Sequence, residues 1–235
     1  MEIQQSINNI SREALSEDLN NKGYALVKGI LTSEECADSI ALYHNDGLYR
    51  KTVVMARHGY GLGEYKYFQY PLPGLIAHLR ENMYPLLAPI ANHWMRVLNI
   101  DKQFPESLKD LMELCQANNQ HRPTPLILKY ETGGYNALHQ DLYGEVYFPM
   151  QLVLFLNEPG QDYEGGEFVL IEQKPRAQSK AIVLKPRKGD MLVFTTNFRP
   201  GKSTRGYYRA NMKHGVSEIT AGQRHTLGII FHDAT

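Results

Sequence analysis

His139-x-Asp141 sets an imidazole and a carboxylate two residues apart in the run LILKYETGGYNALHQDLYGE, residues 126–145. The run reads as a strand, a Gly-Gly turn and a second strand over 137–142. Side chains two apart on a strand point to one face. One imidazole and one carboxylate on one face are two of the three ligands in the 2-His-1-carboxylate triad that holds non-haem iron. The pair alone is weak evidence, because a chain of this composition holds about one His-x-acid pair by chance. A second pair, His44-Asn45-Asp46, is present. It stands at the end of a helical stretch, where residues i and i+2 do not share a face. Its expected role is local, a helix-end imidazole and a turn carboxylate.

A third ligand must come from a distant strand that faces the first two. His214, in ANMKHGVSEI, shares a strand face with Ala210, Met212 and Val216. A lone histidine on such a face is ordinarily a core residue, so its surroundings decide. Ten residues on, across Thr220-Ala221-Gly222, Arg224 and Thr226 share a face of a returning strand. A buried guanidinium needs an anionic partner. That partner is either an acid of the chain, such as Glu218, or a dicarboxylate co-substrate that the planar fork grips bidentately.

With these residues in this order, residues 126–233 resemble the double-stranded β-helix core of the Fe(II)/2-oxoglutarate-dependent dioxygenases, nearest to the prolyl-hydroxylase-like division. The matching pattern is His139, Asp141, His214 and Arg224, with Thr226 in an Arg-x-Thr element and Tyr130 on the strand before the first pair. Gly165-Gly166-Glu167-Phe168 and Lys188-Gly189-Asp190 also match; both are read as structural turns. The longer phrases LHQDLYGE, FPMQLVLFLNEPG, GGEFVLIEQKPR, YYRANMKHGVSEI and RHTLGIIFHDA resemble a bacterial branch described as an oxygenase acting on methylated, damaged DNA.

The resemblance implies Fe(II) at His139, Asp141 and His214 as the catalytic centre. It implies 2-oxoglutarate held at its far carboxylate by Arg224, Thr226 and Tyr130, dioxygen as the other co-substrate, and ascorbate as a stimulant. The expected reaction is C–H hydroxylation, with oxidative demethylation of alkylated nucleic acid as one form. The alternatives are a prolyl-hydroxylase-like protein or small-molecule hydroxylase, and a non-catalytic metal-binding jelly-roll module. Each metal-bound imidazole is expected to donate its second ring N–H to an acceptor.

The elements that must position these groups divide the chain in two. Before residue 121, helical spacing dominates: residues 8–22, a Thr32-capped stretch to about Asn45, residues 73–98 interrupted by Pro85 and Pro89, and residues 105–117. Strand-like residues 51–70 surround a Gly-rich turn and carry Tyr60, Tyr65, Tyr67, Phe68 and Tyr70, which either line a substrate groove or form a core or lid segment. After residue 121 the period becomes 2, with strands at 126–131, 137–142, 148–156, 166–172, 181–185, 190–195, 206–216 and 224–232. The expected fold is α+β: a jelly-roll core over 121–235 with a mainly helical support region, 1–120, packed against it as one cooperative unit.

Composition excludes some classes. Hydrophobic residues make up 43% and charged residues 21%, the balance of an ordinary globular chain. Cys36 and Cys115 have no CxxC partner, which points to buried free thiols rather than a disulfide framework or a zinc site. The N-terminus lacks a basic patch before an apolar run, and no stretch is long and apolar enough to span a membrane. A cytoplasmic protein is the expectation. Net charge is zero, yet residues 172–213 hold eleven Lys or Arg against only Glu172 and Asp190. That stretch is either a solvated face or a track for nucleic-acid phosphates.

Overall fold

Alternate residues on the strands of one sheet enter two different cores, and this places the candidate residues. The computed structural model describes residues 2–235. Its first part holds α1 (Glu2–Asn8), α2 (Arg12–Lys22), β1 (Tyr24–Val27), α3 (Ser33–Ala41), β2 (Tyr49–Val54), β3 (Gly61–Leu62), β4 (Glu64–Phe68), α4 (Gly74–Val97) and α5 (Leu108–Ala117). Then follow β5 (Leu126–Glu131), β6 (Tyr135–His139), β7 (Met150–Phe155), β8 (Tyr163–Gly165), β9 (Phe168–Gln173) and β10 (Lys180–Leu184). The last strands are β11 (Met191–Thr195), β12 (Phe198–Ser203), β13 (Gly206–Val216) and β14 (Ile219–Ile230).

The larger sheet has the order β1-β11-β7-β14-β5-β4-β2, with β8 paired to β14. The smaller has the order β10-β9-β13-β6-β3, with β12 paired to β13. All these pairings are antiparallel. The mixed architecture and jelly-roll sheets agree with the sequence expectation.

On the larger sheet, Ile127, Leu152, Leu154, Met191, Val193, Leu227 and Ile229 pack into the core beneath the helices. Their neighbours Val153, Phe155, Leu192 and Phe194 point the other way, to Phe168, Leu170 and Met212 of the smaller sheet. The helix-side core is anchored by α4, whose Ile76, Leu79, Met83, Leu87, Ala91 and Trp94 are buried. Each such large apolar side chain contributes about 1.5–3 kcal/mol on burial. Residues 24–68 supply both edges of the larger sheet, β1 at one and β4-β2 at the other. The first half of the chain is therefore part of the sheet as well as its support.

Local departures from the sequence reading have physical causes. The 8–22 helix begins at Arg12, because the Ser11 hydroxyl accepts the Ala14 N–H and caps it. Thr32 and Glu35 form the reciprocal capping box that starts α3. Helix α4 runs unbroken through Pro85 and Pro89. Both prolines are exposed, and at i, i+4 spacing the freed carbonyls lie on one solvated side. The 105–117 helix starts later, at Leu108, where Ser107 accepts the Asp110 N–H. Strand β6 ends at His139 rather than 142, and strands β8 and β12 are additional.

A buried ion pair ties α4 to the C-terminus. Arg80 Nη2 donates to Asp233 Oδ1 and to the Phe231 carbonyl, both at 2.7 Å. Arg80 Nη1 donates to Tyr70 Oη at 2.7 Å, and that hydroxyl donates to Asp233 Oδ2 at 2.9 Å. Removing one partner strands the other charge. Asp233→Ala is expected to cost about 3–5 kcal/mol, read as a lower urea midpoint at unchanged slope, whereas an Arg80→Met, Asp233→Leu double variant is expected to lose far less.

His232 is wholly buried and accepts the Phe148 N–H at Nδ1 (3.0 Å). Burial, then the nearby Arg80 charge, lower its pKa to about 3. The folded ring stays neutral while the unfolded ring protonates below about 6.5. Its contribution to stability is full above about pH 6.5 and is lost as pH falls toward 3. Unfolding free energy measured against pH is expected to fall less steeply over that window in His232→Gln than in the wild type.

Candidate metal centre and co-substrate pocket

The inner face of the larger sheet and the facing edge of the smaller one enclose a cavity of about 510 Å³. His139, Asp141, His214, Arg224, Thr226 and Tyr130 all line it. The six residues singled out in the sequence are thus brought to one space.

His139 closes β6 and pairs directly with His214 of β13. Their rings lie 4.2 Å apart, centroid to centroid. Asp141 lies past the end of β6, so the period-2 argument holds for its direction but not for its backbone. The chain leaves the sheet at Gln140, whose Nε2 donates to the Asn197 and Met212 carbonyls at 3.0 and 2.8 Å. Asp141 Oδ1 then stands 3.6 Å from His139 Nε2, and Oδ2 stands 3.3 Å from His214 Nε2. One ligand atom from each of the three residues falls within 4.8 Å of the others. Two imidazoles and a carboxylate at that spacing suit a divalent ion with open positions.

Protonation states agree with that use. Burial alone would raise the Asp141 pKa. The hydrogen bond to His214 and the charges of His214 and His139 outweigh it and hold the carboxyl well below the usual range. Burial, then the neighbouring His139, lowers the His214 pKa and favours the neutral ring that a metal requires.

The expected second-sphere acceptor is present on one histidine. His139 Nδ1 lies 2.7 Å from the Ala137 carbonyl, which leaves Nε2 free to bind. His214 Nδ1 has no partner among the described residues. Its ring is held instead by Phe168, stacked at 6.0 Å, and Phe194, edge-on at 4.8 Å.

At the other end of the cavity, Arg224 pairs across the strands with Tyr130. It is 1% exposed, and none of its three guanidinium nitrogens has a hydrogen-bond partner among the described residues. The rings of Tyr130, Phe155 and Tyr163 surround it at 5.4–5.8 Å. Glu218 is not its partner; the acid is exposed and the pairing allowed by the sequence does not form. Gly166 takes φ 62°, and a Cβ there would sit 2.2 Å from Ile219 Cδ1 and 3.1 Å from Arg224 Cδ, so the glycine is what lets the strand close over the arginine. Thr226, 2% exposed, is the next inward residue on β14. Tyr130 Oη accepts from Asn136 Nδ2 at 3.2 Å, and burial raises its pKa to about 12 against the opposing Arg224 charge. An uncompensated guanidinium beside two hydroxyls is a fit for a carboxylate supplied from outside the chain.

Neither residue of the second His-x-Asp pair lines the cavity; Asp46 accepts from Lys66 Nζ at 2.8 Å, a partner outside its own turn. The tyrosine run divides: Tyr60, Tyr65 and Tyr67 line the cavity, Phe68 is core, and Tyr70 joins Arg80 and Asp233. None of the eleven basic residues of 172–213 lines the cavity. Arg199 is committed to Glu172, Lys185 to Glu167 and Arg187 to Glu158.

Two site residues escaped the sequence reading. Gln151 of β7 is 4% exposed and donates to Asp141 Oδ2 at 2.9 Å. Tyr143 donates to Asp141 Oδ1 at 2.9 Å. Burial, then the Asp141 charge, raises the Tyr143 pKa well above its ordinary value and keeps its proton in place. A lone amide inside the apolar run Met150–Phe155 was the available signal for Gln151.

Comparison with known proteins places the chain. A family profile for the Oxygenase-NA family, described as oxygenases catalysing oxidative methylation of damaged DNA, matches residues 63–234. Uncharacterised proteins from two strains of Mycobacterium tuberculosis are 47% identical over 167 residues, 71% of this chain and 72% of theirs. Among solved structures, the fold is similar to a Trichoplax adhaerens prolyl hydroxylase in complex with a hypoxia inducible factor peptide. That match has a TM-score of 0.60 and 15% identity, over 98% of this chain and 92% of that one. It is also similar to a 2OG-Fe(II) oxygenase family oxidoreductase from Burkholderia pseudomallei, with a TM-score of 0.58 and 14% identity over 97% and 95%. No described helix is long and apolar enough to cross a membrane. By the profile match over most of its length, the chain belongs to the Oxygenase-NA family, and its fold is that of the solved 2OG-Fe(II) oxygenase structures to which it is similar.

Proposed function

We propose that the protein couples oxidation of 2-oxoglutarate to hydroxylation of a C–H bond, and that its substrate is alkylated nucleic acid, demethylated through an N-hydroxymethyl group that is lost as formaldehyde. The observation that carries the reaction type is the unpartnered Arg224 guanidinium buried in the same cavity as His139, Asp141 and His214. A bare metal-binding module has no need of that arginine.

In this reading His139, Asp141 and His214 would hold Fe(II). Fe(II) with 2-oxoglutarate and dioxygen supplies the oxidising chemistry and leaves succinate and carbon dioxide. Arg224 takes the far carboxylate of 2-oxoglutarate, with Thr226 and Tyr130 as hydroxyl partners. The aromatic walls Tyr130, Phe155 and Tyr163 exclude water there, which strengthens the charge pairing. Tyr60, Tyr65, Tyr67 and Tyr143 also line the cavity, with Lys51, and supply aromatic surface and a cation for a nucleobase and its phosphate.

The nucleic-acid reading rests on the family description. It is supported by the β12–β13 ribbon, which carries Lys202, Arg205, Arg209 and Lys213, all exposed, and no acid. The ribbon prolongs β13 beyond the His214–His139 pair, on the side where the chain leaves β6 for Asp141. A peptide substrate is the second reading. It is favoured by the exposed apolar residues Leu138 and Leu142 that flank His139 and Asp141. The two are separated by succinate formation measured side by side with methylated oligonucleotides and with peptides. Turnover is expected with the oligonucleotides and none with His139→Ala; turnover with peptides alone would contradict the nucleic-acid reading, and no succinate with any substrate would contradict the enzyme.

Arg224→Met tests the co-substrate pocket without turnover. Replacing an uncompensated buried charge by an apolar side chain is expected to stabilise the ligand-free protein by about 1–4 kcal/mol. The same change is expected to abolish the rise in unfolding temperature that 2-oxoglutarate gives the wild type. A destabilised variant that still responds to 2-oxoglutarate would assign Arg224 to structure.

A further inference from the structure

Each oxygen of Asp141 is held by a neutral donor. Oδ1 accepts from Tyr143 Oη and faces His139 Nε2; Oδ2 accepts from Gln151 Nε2 and faces His214 Nε2. Neutral donors fix the direction of a carboxylate without cancelling its charge, so the charge remains available to a cation. Gln151 Nε2 also lies 3.3 Å from His214 Nε2, so one amide touches two of the three prospective ligands.

The Gln151 arm comes from the floor of the larger sheet and is rigid by construction. The Tyr143 arm stands in the irregular stretch between β6 and β7, where a side chain fixes nothing unless its own backbone is fixed. Gln120 does this from outside the cavity. It is fully buried. Its Nε2 donates to the carbonyls of Tyr143 (3.2 Å), Val146 (2.8 Å) and Asp233, and its Oε1 accepts the Val146 N–H at 2.8 Å. Gly144, at φ 77°, leaves space for it; a Cβ there would sit 2.5 Å from the Gln120 carboxamide. Tyr67 Oη donates to Tyr143 Oη at 3.2 Å, which commits the single Tyr143 proton to Asp141.

We propose that Gln151 and Tyr143 are positioning residues for Asp141, and that Gln120 acts on the same ligand at one remove by fixing the turn that carries Tyr143. The proposal rests on His139, Asp141 and His214 being metal ligands. It gives a role in the site to Gln120, which neither lines the cavity nor belongs to the motif. Through the Asp233 carbonyl it also connects that site to the Arg80 ion pair of α4.

The test is titration of the full-length protein with Co(II) as probe, followed by visible absorption, with thermal unfolding of the metal-free protein as the fold control. Tyr143→Phe removes one oxygen and Gln151→Leu one amide. Each is expected to weaken Co(II) binding about 10–100-fold and to change the shape of the Co(II) band, with metal-free unfolding little changed. Gln120→Leu is expected to weaken binding in the wild-type background but to add less than about twofold to Tyr143→Phe, because groups in one hydrogen-bonded chain are not additive. If Gln120→Leu does not fold, Gln120→Glu, which keeps the acceptor for the Val146 N–H, replaces it in the cycle. Wild-type affinity and band shape in both Tyr143→Phe and Gln151→Leu would overturn the clamp. Full additivity with Tyr143→Phe would overturn the Gln120 link. A wild-type protein that takes up no Co(II) would overturn the metal centre, and the clamp with it.

Discussion

The structure depends on keeping charge in the space between two sheets. Arg224 is buried without a partner among the described residues, and Asp141 is largely enclosed beside two imidazoles. An isolated charge in such a place costs several kcal/mol. A fold keeps that cost only if the surrounding layers are stable enough to carry it and if something else binds there. The helix-side core built on α4, continuous with the outward face of the larger sheet, supplies the stability. The inward face of the same sheet is then free to present Arg224, Thr226 and Gln151.

That division explains why the polar residues of the larger sheet sit where they do. On β14 the inward positions read Arg224, Thr226, Gly228 and Ile230, polar at one end and apolar at the other. On β7 the inward positions read Gln151, Val153 and Phe155. One sheet therefore presents an unpartnered guanidinium at one end and, level with Ile230 at the other, an amide that reaches the His–Asp–His cluster. The smaller sheet adds the two imidazoles from adjacent strands in register. An oxygenase of this kind needs both halves in fixed relation, and antiparallel ladders on either side of one cavity supply that relation.

The site was legible in the sequence wherever chemistry and strand period coincide locally. His139 and Asp141 announce themselves by spacing, and His214 and Arg224 by their order along a hairpin. Asp141 reached the right place by a different route, because its backbone has already left β6 and depends on Gln140, Gln151 and Tyr143 for direction. Gln120 was not legible at all. Its partners Tyr143, Val146 and Asp233 lie from 23 to 113 residues away, and only the fold brings them together. Propensity counts each proline of α4 as a kink or a division, whereas the exposed side of a long packed helix tolerates two. Strand β12 was not legible because Pro200 and Gly201 both disfavour a strand; in the fold Gly201 gives way to the Tyr208 ring across the ribbon. The basic stretch was visible in the charge pattern, but its place outside the cavity was not.

The central claim is that one cavity holds a metal on His139, Asp141 and His214 and a dicarboxylate on Arg224. A crystal structure grown without oxygen in Mn(II) and 2-oxoglutarate tests it most directly. The account predicts anomalous density bonded to those three side chains, with the far carboxylate of 2-oxoglutarate on the Arg224 guanidinium. Metal on any other residues, or a cavity in which Arg224 meets no carboxylate, would contradict it.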